Sequence, residues 1–200
     1  MRAMILAAGK GTRLRPLTDT VPKPLLEVAG RPMIAFPLQL LREAGIKEVA
    51  INLHHLGEQI RNCLGAGDAY GVRITYLEED PILDTGGAIA AAKDVFGGEP
   101  FVVLNADTAI DLRLRDVIDF HRRCDATATM VLRPDPDAAR HDAIFIDAAD
   151  RIHGIRGHGR SGYDPSVAGN LMLYAGIMVF EPRVFDYMGQ GVFKIGRAHV

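Results

Sequence analysis

Phosphate-binding chemistry is concentrated near the start of the chain. Gly9-Lys10-Gly11-Thr12-Arg13 sets two glycines beside two cations, and Arg15 and Lys23 follow. Glycines let backbone N–H groups approach phosphate oxygens without a side chain in the way. Arg13 can grip a phosphate through two N–H bonds, whereas Lys23 acts as a point charge. Pro22 and Pro24 are expected to hold the segment around Lys23 extended. A second candidate is Asn105-Ala106-Asp107, which ends an apolar run. An aspartate there suits Mg²⁺, which takes one or two protein carboxylates and fills its shell from substrate phosphates. A third is Asp84-Thr85-Gly86-Gly87, opening an alanine-rich stretch. Read from its residues alone, it caps a helix and allows close backbone packing.

Rival readings of the glycine loop fail on spacing. A P-loop needs Ser or Thr after Gly-Lys, and here Gly11 follows Lys10. A dinucleotide fingerprint needs a third glycine and a helix. Leu14 holds that position, and prolines follow at 16, 22 and 24. That removes the dehydrogenase reading. His54-His55, His153 and His158 match no zinc spacing and read as surface or loop histidines. Cys63 and Cys124 are too few for a disulfide framework and are expected as buried or half-buried free thiols. The run Arg133 to Asp142 reads as a solvated loop.

These groups need a frame. Ala3 to Ala8 reads as a buried strand, followed by an irregular loop to Pro24. Helices are expected over Pro32–Ala44, Gly57–Leu64, Gly86–Phe96 and Leu114–Arg123. Strands are expected over Glu48–Leu53, Val72–Leu77, Phe101–Leu104 and Ala126–Leu132. This alternation predicts an α/β fold whose mostly parallel sheet is covered on both faces. The pattern then changes. Ala143–Asp147 and Ile152–Ile155 read as a hairpin, His158–Gly162 as a polar loop and Leu171–Phe180 as a long strand.

Met4-Ile-Leu-Ala-Ala-Gly-Lys-Gly-Thr-Arg-Leu-Arg-Pro-Leu-Thr18, followed by Pro22-Lys-Pro-Leu-Leu26, resembles the signature of the sugar-1-phosphate nucleotidyltransferases (NDP-sugar pyrophosphorylases). The likeness extends to about Phe193. It implies a Rossmann-like, GT-A-type three-layer sandwich with a small β-hairpin insertion. It implies transfer of a nucleotidyl group from UTP, GTP or dTTP to a sugar 1-phosphate, with Mg²⁺ as cofactor. Arg13 and Lys23 then match catalytic residues: Arg13 neutralises departing pyrophosphate and Lys23 holds phosphate at the reacting centre. Leu6, Ala8, Gly9, Gly11, Thr12 and Gly86 match nucleotide-binding positions. Asn105 and Gly87 match sugar-phosphate positions, and Asp107 the metal ligand. Ala106 departs from the commoner glycine. Leu173 to Pro182 resembles the strand beside the sugar-phosphate pocket. Many relatives carry a phosphate-binding lysine before it. None lies between Asp147 and Asn170 here, where Arg156 or Arg160 could substitute. The Asp84–Gly87 turn looks most like that of N-acetylmuramate-1-phosphate uridylyltransferases. Mannose-1-phosphate guanylyltransferases more often show Gly-Thr-Ala-Gly. The alternative is a module on the same fold that senses nucleotide or sugar phosphate without turnover.

The 200 residues suit one domain, placed at 1–193, and 48% apolar content provides for a core. A net charge of −2 gives no basic field for nucleic acid. No apolar run is long enough for a membrane span, and a cytoplasmic protein is expected. Residues 194–200, Lys-Ile-Gly-Arg-Ala-His-Val, match a translated sequencing adapter and read as a non-native tail. On this expectation the chain is C-terminally truncated and lacks the family's second metal aspartate. It would then be weak or inactive beside its full-length parent.

Overall fold

Short apolar runs make the strands, and the two-residue pleat then decides which helix each side chain meets. The computed structural model describes residues 1–135, 138, 143–155, 158, 159 and 170–195. In chain order the elements are β1 (Arg2–Leu6), β2 (Glu27–Val28), β3 (Arg31–Pro32), α1 (Ala35–Glu43), β4 (Glu48–Leu53) and α2 (Gly57–Leu64). There follow β5 (Arg73–Glu78), α3 (Asp84–Ala91), α4 (Lys93–Phe96), β6 (Phe101–Asn105), α5 (Leu114–Arg123) and β7 (Ala128–Pro134). The last strands are β8 (Ile144–Ile146), β9 (Ile152–Ile155), β10 (His158–Gly159) and β11 (Asn170–Phe180), and a 3₁₀ turn covers Pro182–Tyr187.

Among the described residues nine strands share one sheet, in the order β10-β9-β8-β11-β6-β1-β4-β5, with β7 on the other edge of β11. Its centre, β6-β1-β4-β5, is parallel. From β1 the chain steps outward to β4 and β5, then returns to the opposite side of β1 as β6. The carboxyl ends of β1 and β6 therefore flank a topological switch point, where open α/β sheets bind ligands. Beyond β6 the pairing is antiparallel, and β8 and β9 form the expected hairpin, with Ile144 opposite Ile155.

Alternate residues feed two cores. Ala3 and Ile5, Val49 and Ile51, Val102 and Leu104, and Ile177 and Val179 face one side. There they meet Leu38 and Leu41 of α1, Ile60 of α2 and Ile118 of α5. Met4, Ala50, Phe101, Val103 and Phe180 face the other side, against Ala88 and Ile89 of α3 and Phe96 of α4. These are the three expected layers. Phe96 stacks on Phe101 with centroids 3.8 Å apart, and Phe101 lies 5.4 Å from Phe180. Such pairs contribute about 1 kcal/mol each beyond area burial.

Several expectations are corrected in detail. The helix expected from Pro32 starts at Ala35, because Pro32 pairs with Glu27 in a two-residue ribbon. It ends as expected before Gly45, whose φ of +82° suits a glycine stop. The long alanine-rich helix is two pieces, α3 and α4, joined at Ala92. No side-chain hydrogen bond caps α3. Cys63 and Cys124 are exposed, because both sit on the solvent side of their helix ends. Arg156, Arg160 and residues 196–200 lie outside the described residues, as does most of the run 136–142.

Candidate functional site

A cleft of about 970 Å³ opens at the switch point. One wall is Gly9 and Gly11–Leu14 with Lys23; the floor is Asn105 and Asp107–Ile110; the far wall is Arg133 and Tyr174–Gly176. Seven of the residues expected from sequence thus converge: Gly9, Gly11, Thr12, Arg13, Lys23, Asn105 and Asp107.

The loop wall is irregular yet closely held. Three short 3₁₀ turns, Thr12–Leu14, Leu17–Asp19 and Lys23–Leu25, replace the extended path expected around Lys23. Pro22 itself is extended, with ψ 142°, but Leu25 N–H bonds back to Pro22 O at 2.8 Å and tightens the chain. Buried Thr18 donates its hydroxyl to Gly11 O at 2.9 Å. His55 Nε2–H donates to Thr18 O at 2.9 Å, and Gln59 donates to Thr20 O at 3.0 Å. His54 and His55 are thus half-buried anchors rather than plain surface histidines.

The two loop glycines differ. Gly11 has φ +63°, and a Cβ there would lie 2.8 Å from Thr18 Cγ2. A Cβ on Gly9 would meet nothing within 4 Å. Gly11 is required by the fold, whereas Gly9 leaves space open to the cleft.

Behind the loop is a network that the sequence reading missed. Asn52 Oδ1 accepts Ala7 N–H at 2.7 Å, and Asn52 Nδ2 donates to Glu79 Oε1 at 2.7 Å. Glu79 Oε2 accepts Leu83 N–H at 2.9 Å. Both side chains are buried, so each polar atom needs such a partner. The network ties the end of β1 to the entry of α3. Ala8 is buried and Leu6 half-buried at this strand end; neither lines the cleft. A polar residue inside an apolar strand, Asn52, was the available signal.

At the floor, Ala106 N–H bonds to Leu6 O at 3.1 Å and joins the ends of β6 and β1. Asp107 projects next and pairs with Lys23 through Nζ and Oδ2. Thr108 turns back through its N–H to Asn105 O at 3.1 Å, and its hydroxyl donates to Gly176 O at 3.2 Å. Gly176 has φ +89°, and a Cβ there would collide with Thr108 Oγ1. It sits where β11 slips against β7 between Tyr174 and Met178. An isolated glycine in a strand run is the signal for such a bulge. Beside it, the Tyr174 hydroxyl is buried without a hydrogen-bond partner among the described residues. Burial, and secondarily the Asp107 charge, raises its pKa and keeps it protonated.

Gly86 and Gly87 do not line this cleft. Their N–H groups bond to Phe193 O at 2.8 and 3.2 Å, and Cβ atoms there would strike Phe193 and Gly191. Close packing of residues 191–193 accounts for both glycines here. No three His, Cys, Asp or Glu side chains gather as a metal cage among the described residues. Asp107 is the one carboxylate lining the cleft among them. That donor set fits a Mg²⁺ shared with substrate phosphates and does not fit a cage built from protein alone.

The likeness to known proteins follows the same ground. The chain is 38% identical to N-acetylmuramate alpha-1-phosphate uridylyltransferase of Neisseria meningitidis, over 96% of this chain and 80% of that protein. It is 35% identical to UTP--glucose-1-phosphate uridylyltransferase of Synechocystis, over 96% of this chain but only 52% of that one. A Bacillus anthracis crystal structure, assigned as a glucose-1-phosphate thymidylyltransferase and complexed with sucrose, superposes with a TM-score of 0.80. Its identity is 26%, over 94% of this chain and 74% of that one. The profile of the nucleotidyl transferase family matches residues 2–193, from the first strand to the segment packed on Gly86, and the chain belongs to that family.

Proposed function

We propose that the chain transfers a nucleotidyl group from a nucleoside triphosphate to a sugar 1-phosphate, giving a nucleotide sugar and pyrophosphate. The observation that carries this reading is the convergence of Gly9, Arg13 and Lys23 with Asp107 across one cleft. The relatives' activities support it. UTP is the preferred donor in this reading, because both curated relatives above are uridylyltransferases.

An oxygen of the sugar phosphate attacks the α-phosphorus in line. The new O–P bond forms as the α–β phosphoanhydride breaks, and pyrophosphate departs with the electron pair. Such chemistry is mostly positioning and charge stabilisation. The loop N–H groups from Gly9 to Arg13 hold the triphosphate, and Arg13 offsets charge on the leaving pyrophosphate. Lys23 moves from Asp107 to a phosphate oxygen at the reacting centre. Asn105 orients the sugar phosphate. When bound, Mg²⁺ would be held by Asp107 and would supply charge neutralisation across the triphosphate oxygens.

The test is pyrophosphate release from four triphosphates against muramic, glucose, mannose and glucosamine 1-phosphates. Release with a matched pair is expected, weaker from this chain than from its full-length parent. Binding of triphosphate and sugar phosphate without release from any pair, in this chain and in the full-length parent alike, would instead select the sensing module.

A further inference from the structure

We infer that Arg133 is the cation that binds the phosphate of the sugar-phosphate substrate. The inference rests on the nucleotidyl-transfer reading. Two phosphorylated substrates must enter one cleft, and their charges repel, so each end needs its own cation. Arg13 and Lys23 both stand on the loop wall. Across the floor, the far wall presents Arg133, which this cleft shares with Tyr174, Ala175 and Gly176.

The position of Arg133 is built, not incidental. It stands opposite Leu173 in the β7–β11 register, one residue from the bulge that Thr108 pins through Gly176 O. Asp135 holds one guanidinium nitrogen, Nη1, at 2.6 Å. The carboxylate is the less exposed partner, at 18% against 57% for the arginine side chain. The pair therefore anchors Arg133, a residue that lines the cleft, through one nitrogen of its guanidinium. A guanidinium has five N–H donors, in a fork that matches phosphate oxygens. Tyr174 lines the same wall, with its hydroxyl buried beneath the cleft surface. In this arrangement the arginine orients the sugar-phosphate oxygen toward an α-phosphorus held from the other side.

The experiment compares the wild-type chain with Arg133→Gln and Arg133→Lys. Both variants should melt as the wild type does, because the side chain is largely exposed. Kinetics of pyrophosphate release should show KM for the sugar 1-phosphate raised about tenfold or more by Arg133→Gln. KM for the triphosphate should stay within about twofold, and Arg133→Lys should fall between. Unchanged sugar-phosphate KM, or a rise in triphosphate KM of equal size, would overturn the assignment while leaving the transfer reading intact. Calorimetric titration with the four sugar 1-phosphates decides the assignment separately. If neither this chain nor its full-length parent releases pyrophosphate, the transfer reading fails. Arg133 then stands if Arg133→Gln loses a binding isotherm that wild type shows, and falls if the isotherms coincide or if none of the four binds wild type.

Discussion

The two walls of the cleft are built in opposite ways. The loop wall is one contiguous segment, Gly9 to Lys23, tied to itself by Thr18 and clamped from behind by His55 and Gln59. The strand wall joins residues more than 40 positions apart, Arg133 and Tyr174–Gly176, and Thr108 fixes it to the floor. In the proposed reading, sequence neighbours do the chemistry of the first wall, whereas the chemistry of the second depends on strand pairing. Function that is local in sequence survives as a motif; function that is local only in space leaves single, ordinary residues.

The Lys23–Asp107 pair joins loop wall to floor, and its loss should have the largest effect. Asp107→Asn is expected to lower turnover by about 10³-fold, with triphosphate binding retained in part. Lys23→Ala is expected to lower turnover by about 10²-fold, more than it weakens triphosphate affinity. Steady-state rates beside direct triphosphate titration check both. Equal loss of rate and affinity would reduce Lys23 to a binding residue.

Glycine substitutions sharpen the contrast between walls. Gly11→Ala and Gly176→Ala should each lower unfolding free energy by about 1–3 kcal/mol in denaturant titration, since both have positive φ and a crowded Cβ position. Gly9→Ala should leave stability within about 0.5 kcal/mol and still weaken triphosphate binding, because its Cβ enters open cleft. A large stability loss at Gly9 would show that its space belongs to the fold rather than to a ligand.

The smallest effect expected is on pH dependence, and it belongs to the strand wall. His121 of α5 is buried, and its Nδ1 meets Thr129 Oγ1 of β7 at 2.8 Å. Burial lowers its pKa, and Glu181, 3.4 Å from Nε2, only partly opposes this. The unfolded chain then binds the proton more readily than the folded one. The contribution is fully present above the ordinary histidine pKa of about 6.5 and is lost as pH falls toward the lowered folded value. Melting temperature should therefore drop between pH 7.5 and 5.5, and His121→Gln should flatten that drop. The same slope in wild type and variant would assign the effect elsewhere.

Much of the fold was legible because local rules sufficed. β4, α2 and α5 match their expected spans, since an apolar run or an apolar face specifies each locally, with Gly65 closing α2. α3 and α4 were read as one helix because alanine composition does not reveal a break at Ala92. The exposed cysteines were misread because burial depends on which side of the helix meets the sheet.

By itself the sequence determined the glycine-rich loop, the strand-end aspartate and the alternating α/β pattern, because each rests on residue type at short spacing. Only the tertiary structure decided that Lys23 meets Asp107, that Gly86 and Gly87 serve packing against residues 191–193, and that Arg133 faces the loop across the floor. Those outcomes depend on strand order and on the register of β7 against β11, which pair segments whose sequences carry no record of their partners.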